Sequence, residues 1–271
     1  MSFPVYLRLG PLQVHPHWLF ETLAYVVGFQ LCLLLRKRKG DLLSNNKRWW
    51  IFVAAAAGAL VGSRILYWLE EPKASVANWS NPAYLLGGKT IVGALIGGLA
   101  AVEWAKTWLG INRRTGDLFA LPLAIGIAIG RVGCFLTGLD DHTSGNFTSL
   151  PWGVNFGDGA RHPTQLYEMA FLIVLAMGMT IAARRPYREG DLFKLFMVAY
   201  FSFRFAIDFL KPATPALAGL SSIQLACVAM LIFYAPDVLR WCSTGFESQQ
   251  PRDSVPPVRI GLELTAESKK G

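Results

Sequence analysis

Charged residues lie inside several apolar stretches of this chain, and their types suit the binding of an anion. Arg131 falls within the stretch 118–137, which is about as long as one membrane-spanning helix. Arg64 lies in another apolar stretch, and Arg204 and Asp208 lie in a third. Inserting a charged side chain at that depth of a membrane costs roughly 2.5 to 3.5 kcal/mol of free energy. We therefore expect such a residue to have a binding partner or a function. The guanidinium fork matches phosphate oxygens, so the pattern predicts a pocket for a charged or polar ligand.

A compact polar cluster, RHPTQLYE at 161–168, opens a further apolar stretch. Pro163 suits the first turn of a helix, which places the end of the cluster inside the apolar segment. His162 at the helix start is a candidate base, hydrogen-bond donor or helix cap, and its polar neighbours favour a site over a structural role. The candidate site residues of this cluster are His162, Gln165, Tyr167 and Glu168.

Four polar residues recur along the segment 200–212 at spacings of four, four and three. These are Tyr200, Arg204, Asp208 and Lys211. Such spacing puts them on one face of a helix, while the intervening residues are mostly apolar. A local ion pair between Arg204 and Asp208 is the alternative interpretation. We favour a polar face that points into a cavity of a helix bundle.

Glycines mark two further candidate segments. Gly87 and Gly88 directly precede Lys89 and permit a break in the helix. We expect the backbone N–H groups at this break, together with the lysine, to bind an anion. Gly93 and Gly97 have the spacing of a small-residue face, so close helix packing is the alternative for them.

Glycines also flank Arg131 in the segment GRVGCF at 130–135, which argues for close backbone approach around a guanidinium held in a cavity. Asp140, Asp141 and His142 follow just beyond the apolar run. An arginine–aspartate pair that closes a loop is the alternative there.

The composition is typical of a membrane protein, with 53% hydrophobic and only 16% charged residues. The apolar runs lack the alternation of a membrane barrel, so we expect an all-α bundle. Seven spans are predicted, at roughly 17–35, 49–69, 91–109, 117–137, 166–183, 191–210 and 220–239. One membrane domain would cover 1–246, followed by a flexible cytoplasmic tail at 247–271.

Basic residues concentrate in the odd-numbered loops, which places those loops and the C-terminus in the cytoplasm and the N-terminus outside. The net charge of +8 is then mainly a topology signal with attraction to anionic lipid. Nucleic-acid binding is the weaker interpretation, because the basic residues are scattered over separate loops. The four cysteines form no motif, so neither a disulfide nor a zinc site is expected.

Together these segments resemble the prolipoprotein diacylglyceryl transferase family. The resemblance rests on GRVGCF at 130–135, HPTQLYE at 162–168 and the polar face at 200–208, and it extends from His17 and Trp18 to the seventh span. It implies transfer of a diacylglyceryl group from phosphatidylglycerol, or a similar anionic phospholipid, to the lipobox cysteine of a prolipoprotein, with release of glycerol phosphate. It also implies a bacterial cytoplasmic (inner) membrane location and no metal or soluble cofactor.

The resemblance assigns roles to individual residues. It implies phosphate-facing roles for Arg131 and Arg204, and a catalytic group completed by Tyr200, His162 and Glu168. The implied substrate-binding residues are Arg64, Lys89, Gly93, Asp140, Asp141, Gln165, Tyr167 and Asp208, and Asp117 matches an aspartate that opens the fourth span.

This chain departs from the family pattern at two places. Val92 stands where the family carries a histidine. The segment after Arg131 lacks two asparagines and a glutamate of the family pattern, and Asp140 or Asp141 is a candidate to replace the glutamate. The base would then be His162, His142 or an aspartate, or the acceptor would arrive ionised. A non-catalytic phospholipid carrier and a related transferase with another acceptor are the alternative functions.

Overall fold

The computed structural model describes residues 3–9, 12–41, 43–212 and 214–246, so the predicted tail at 247–271 lies outside the described residues. Helices dominate this part of the chain. Within these ranges they are α1 (Pro16–Lys39), α2 (Asn45–Glu70), α3 (Pro72–Ala77), α4 (Pro82–Gly87), α5 (Ile91–Trp108), α6 (Asp117–Thr137), α7 (Thr164–Ala182), α8 (Asp191–Ile207) and α9 (Ser222–Thr244). Short 3-10 turns follow α6 at Gly138–Asp141 and α8 at Asp208–Leu210.

Each of the seven predicted spans is largely helical, and their ends differ from prediction by only a few residues. Among the described residues, five helical segments are long and apolar enough to cross a membrane: Pro16–Arg38, Asn45–Glu70, Asp117–Asp141, Thr164–Ala182 and Ser222–Thr244. The other two, α5 and α8, have only 18 and 17 residues and carry charged side chains. The structure therefore supports a helical membrane protein, while seven crossings remain a prediction.

In the part of the chain that the structure describes, four short strands lie outside the helices, and the sequence analysis did not predict them. β1 (Leu7–Leu9) pairs antiparallel with β2 (Leu12–Val14), and β3 (Val154–Asn155) pairs antiparallel with β4 (Ala160–Arg161). Strands of two or three residues are too short to show an alternating pattern. The second hairpin belongs to the long connection between α6 and α7, and it ends at Arg161, the first residue of the polar cluster.

Small residues bring α2 and α5 into close contact. A Cβ atom added to Gly62 would collide with the carbonyl oxygen of Gly93, and one added to Gly97 would collide with that of Gly58. Close backbone approach of this kind is typical of helix pairs in membranes. The packing interpretation therefore accounts for Gly93, which the resemblance assigned to substrate binding.

The apolar core lies among the later helices and fixes the helix that carries Tyr200. Phe196, Tyr200 and Phe201 on α8 are completely buried, and the rings of Phe196 and Tyr200 stack at 5.9 Å. Asp117 also positions α8, because its carboxylate accepts the backbone N–H groups of Gly190 and Phe193 at 2.7 and 3.0 Å. Asp117 is therefore a structural link between the starts of α6 and α8.

Candidate functional site

Glu168 is the centre of the buried polar cluster. Nη2 of Arg131 lies 3.0 and 2.9 Å from its two carboxylate oxygens, and Nη1 of Arg204 lies 3.9 Å from one of them. The hydroxyl of Tyr200 donates to the same carboxylate at 2.7 Å. Three helices, α6, α7 and α8, thus bring the predicted residues together around one carboxylate.

The cluster is buried, although it contains three full charges. Glu168 is 1% exposed, Arg204 5% and Arg131 6%. Removing such groups from water is expensive unless they are paired, and here two cations share one anion. The centre therefore carries a net positive charge before the neighbouring Asp208 is included.

Both arginines also retain buried nitrogen atoms that have no hydrogen-bond partner within the described ranges of the chain. These are Nε of Arg131 and Nη1 of Arg204. An unpaired buried donor costs about 1–3 kcal/mol, and more when it is charged. Two such donors from separate helices are therefore suited to an additional anion.

The carboxylate of Glu168 is the group that Arg131, Arg204 and Tyr200 share, and the predicted pocket for a ligand at these residues stays a prediction. A cavity of about 140 Å³ lies beside the end of α8. Asp208 lines it, accepts a hydrogen bond from Nη2 of Arg204 at 3.3 Å and another from the hydroxyl of Ser221. The cavity is lined by Asp208, Phe209, Lys211, Pro215, Gly219, Ser221 and Gln224.

The predicted His162 and Tyr167 meet in the connection before α7. Nδ1 of His162 lies 3.4 Å from the hydroxyl of Tyr167, which also accepts a hydrogen bond from the indole N–H of Trp152 at 2.9 Å. Helix α7 begins at Thr164 with Pro163 as its N-cap, so the histidine precedes the helix and does not cap it. His162 and Tyr167 thus lie six residues and one residue before Glu168, and with Trp152 they form an aromatic group in the connection before α7 and at the start of α7.

Arg161 stabilises the connection between α6 and α7, and its contacts described next are not with the buried cluster around Glu168. Its guanidinium donates to Asp158 at 2.6 to 3.0 Å and stacks over the ring of Phe147 at 3.9 Å. This hydrogen bonding lowers the pKa of the Asp158 carboxyl and raises the pKa of Arg161. The pair therefore stays charged throughout the neutral range.

Several other predicted substrate-binding residues lie away from Glu168. Lys89 pairs with Glu21 on α1, and Arg64 donates to the carbonyl oxygen of Gly88. The break between α4 and α5 thus exists where the glycines predicted it, but its lysine is paired with a carboxylate. Asp140 is exposed in the turn after α6.

A second polar cluster, which the sequence analysis missed, involves His17 on α1. Nδ1 of His17 lies 2.8 Å from Oδ1 of Asp141, and Cys134 completes a group whose donor atoms all lie within 4.8 Å of one another. The thiol of Cys134 also lies 3.8 Å from Nη1 of Arg131, and that positive charge disfavours a cation there. The only signal in the sequence was the HPHW segment at 15–18.

Thr143 connects this second cluster to the start of α7. Its hydroxyl donates to Asp141 at 2.6 Å and accepts from the side-chain amide of Gln165 at 3.1 Å. Gln165 is 1% exposed, and no described residue donates a hydrogen bond to its Oε1. The predicted Asp141 and Gln165 therefore belong to one network, which reaches His17.

Comparison with known proteins identifies similar chains. The family model described as "Prolipoprotein diacylglyceryl transferase" matches residues 4–237. A phosphatidylglycerol–prolipoprotein diacylglyceryl transferase of Photobacterium profundum is 33% identical, over 86% of this chain and 90% of its own length. Proteins with the same name from Geobacter sulfurreducens and Paracidovorax citrulli are 28% and 29% identical, over 77% and 88% of this chain and 82% and 94% of their own lengths.

Proposed function

The chain belongs to the prolipoprotein diacylglyceryl transferase family, and from this premise we propose that it transfers a diacylglyceryl group from phosphatidylglycerol to the lipobox cysteine of prolipoproteins. The relatives given above are named for this activity, and their sequences match most of the chain. The observation that carries the proposal is the convergence of Arg131 and Arg204 on Glu168, with unpartnered donors on both arginines.

The two arginines bind the phosphodiester of the lipid. Nε of Arg131 and Nη1 of Arg204 donate to its oxygens, while Glu168 keeps both guanidinium groups oriented. As the bond between the glycerol carbon and the phosphate oxygen breaks, negative charge grows on the departing glycerol phosphate. Fixed positive charges in a buried site stabilise that charge more in the transition state than in the ground state.

The remaining polar groups orient this pair and the lipid headgroup. Tyr200 donates to Glu168, and Asp208 holds the other side of Arg204. The cavity beside Asp208 takes the glycerol of the headgroup, because hydroxyl and amide side chains line it. This assignment uses residues of the chain alone, and the reaction needs no metal or soluble cofactor.

The enzyme acts at the outer side of the bacterial cytoplasmic (inner) membrane. We propose that α5 and α8 cross in addition to the five long apolar helices, which gives seven crossings with the N-terminus outside. Basic residues occupy the last turn of α1 and the first turn of α2, and others lie between α5 and α6 and between α7 and α8. All three connections then face the cytoplasm, as positive residues do.

The decisive test is transfer by the purified protein in vesicles of phosphatidylglycerol with a lipobox peptide. We expect a peptide thioether and an equal amount of glycerol phosphate, and neither product with phosphatidylcholine vesicles. Arg131→Ala and Arg204→Ala should abolish both products. Arg48→Lys is the matched control, because Arg48 is a buried arginine that donates to Asp41 at 2.9 Å, far along the chain from this cluster.

The alternatives give different results in the same assay. Bound phosphatidylglycerol without any thioether would identify a carrier, as the valine at position 92 would allow. Release of glycerol phosphate only when another acceptor replaces the peptide would identify a related transferase. Full activity of either alanine variant would overturn the assignment of the arginines.

A further inference from the structure

Lys211 is a charged group of the cavity beside α8 that the proposed mechanism does not use. It directly follows the 3-10 turn Asp208–Leu210, and its side chain lines the cavity together with that of Asp208. Lys211 is partly buried, and no described residue forms a hydrogen bond or an ion pair with its ammonium group. A charge that is withdrawn from water without a partner is costly, so this lysine is suited to a ligand that supplies an acceptor.

The other polar side chains of the cavity already bond to the protein. Oδ1 of Asp208 accepts from Nη2 of Arg204, and Oδ2 accepts from the hydroxyl of Ser221. Gln224 uses both ends of its amide, because Oε1 accepts the backbone N–H of Ser221 at 2.9 Å and Nε2 donates to a backbone carbonyl oxygen of α8 at 3.3 Å. Among the described side chains that line the cavity, Lys211 is therefore the polar one that remains for a ligand.

The cavity also lies where the headgroup of a bound phospholipid would extend. Asp208 joins the cavity to Arg204, which we assign to the phosphodiester. A volume of about 140 Å³ holds several water molecules, so a small polar headgroup fits. In phosphatidylglycerol this headgroup is an uncharged glycerol, whose hydroxyl oxygens accept hydrogen bonds. In phosphatidylethanolamine it carries an ammonium group, which offers only donors, as the ammonium group of Lys211 does.

We propose that Lys211 determines the headgroup selectivity of the phospholipid site; this inference rests on the proposed function. The ammonium group of Lys211 donates to the hydroxyl oxygens of a glycerol headgroup and repels the ammonium group of ethanolamine. Asp208 offsets little of that repulsion, because its carboxylate already accepts from Arg204 and Ser221. Selectivity of this kind depends on a repulsive element as much as on an attractive one. The donor class is therefore an anionic phospholipid whose headgroup carries hydroxyl groups and no cation.

The charged groups that face Lys211 come from four helices and from the turn after α8. These are Glu70, Arg131, Glu168, Arg204 and Asp208. Burial and the two arginines lower the pKa of Lys211 to about 7. A bound phosphodiester adds a negative charge, which favours the ammonium form. Below its pKa Lys211 excludes a second cation, whereas the neutral amine above its pKa accepts a hydrogen bond from one, so the selectivity is strongest at acidic pH.

The test uses phosphatidylcholine vesicles that contain either phosphatidylglycerol or phosphatidylethanolamine, and it measures both lipid binding and transfer to a lipobox peptide. We expect the wild type to prefer phosphatidylglycerol. Lys211→Met keeps the apolar stem without the charge, and it should lower the ratio of the two transfer rates at least about tenfold. Lys211→Arg keeps the charge and should keep the ratio. Lys194→Met is the matched control, because Lys194 pairs with Asp237 at 2.5 Å near the other end of α8.

The pH dependence of the same ratio separates the charge of Lys211 from a structural role. In the wild type, the preference for phosphatidylglycerol should decrease as the pH is raised from about 6 to about 8.5, because Lys211 loses its proton while ethanolamine stays charged. In Lys211→Met the ratio should stay constant over this range. Ionisation of the acceptor thiol cancels in the ratio, because it affects both donors equally.

Three results would overturn the proposal: equal use of both lipids by the wild type, an unchanged ratio in Lys211→Met, or a wild-type ratio that does not change with pH. If Lys211→Met does not fold, the wild-type pH series and Lys211→Arg still decide. A wild type that forms product from neither lipid would overturn the proposed function. The ratio of the two bound lipids, measured in the same vesicles, would then decide the role of Lys211 by the same comparisons.

Discussion

One terminal nitrogen of Arg131, Nη2, lies within 3.0 Å of both carboxylate oxygens of Glu168. A guanidinium has five N–H donors in a fixed plane, so a contact through one nitrogen leaves other donors of Arg131 available. Its Nε is buried and has no hydrogen-bond partner among the residues that the structure describes. The carboxylate therefore orients the arginine without occupying all of its donors, which suits a site that must admit a second anion.

Glu168→Gln should make the stability of the protein depend on anionic lipid. Removing one partner of a buried ion pair costs about 3–5 kcal/mol, because the remaining charges are uncompensated. A bound phosphodiester supplies the missing negative charge. We therefore expect the melting temperature of this variant to fall in neutral detergent and to rise more than that of the wild type when phosphatidylglycerol is added.

Asp237→Asn is the control for this measurement. Asp237 pairs with Lys194 and Arg240 at the far end of α9, away from the cluster. Its substitution should leave the lipid-dependent increase in melting temperature equal to that of the wild type. An equal increase for Glu168→Gln and the wild type would contradict the view that carboxylate and phosphate share the two arginines.

Arg204→Lys should lower turnover by about 100-fold to 1000-fold, the range seen when one oriented donor to a developing anion is removed. Lysine keeps the charge but cannot contact Glu168 and Asp208 together as the planar guanidinium does. The loss should appear in kcat more than in KM for phosphatidylglycerol. Initial rates of glycerol phosphate release provide the measurement, and an unchanged kcat would show that charge alone suffices.

Tyr200→Phe isolates the hydrogen bond to Glu168. The phenol is completely buried and donates at 2.7 Å, so its removal leaves the shape of the core intact. A hydrogen bond to a charged group contributes about 1.5–3 kcal/mol, which predicts a loss of roughly tenfold or more in kcat/KM. Tyr234→Phe, a buried tyrosine on α9, should leave kcat/KM unchanged. Equal losses in the two variants would assign the effect to core packing.

The sequence predicted the long helices and the buried cluster for the same reason. Apolar stretches of membrane-spanning length define helices, and within them Arg131, Glu168, Tyr200 and Arg204 stand out because polar groups there require partners. The spacing along α8 was enough to place Tyr200 and Arg204 on one face. Only the tertiary structure identifies Glu168 as the shared partner of these residues, because Glu168 lies on another helix.

The contact between His17 and Asp141 shows what the sequence could not reveal. It depends on the packing of α1 against α6, and no periodicity relates residues so distant in the chain. Lys89 is a similar case, because a lysine beside two glycines predicted an anion site and the sequence could not show that Glu21 on another helix pairs with it. Local patterns identify polar groups, but the partner of each group depends on how the helices pack.

Gly93→Leu distinguishes helix packing from substrate binding at that position. Any Cβ on Gly93 would collide with the carbonyl oxygen of Gly62, so the side chain must force α2 and α5 apart. Overpacking costs about 1–3 kcal/mol or more, and we expect a clearly lower melting temperature in detergent. Gly178→Leu is the matched control, because Gly178 lies within α7 and a Cβ there meets no atom within 4 Å. If Gly93→Leu kept the wild-type melting temperature but lost transfer, the residue would belong to the substrate site; a joint loss of stability and transfer, with Gly178→Leu unaffected, assigns it to the contact between the helices.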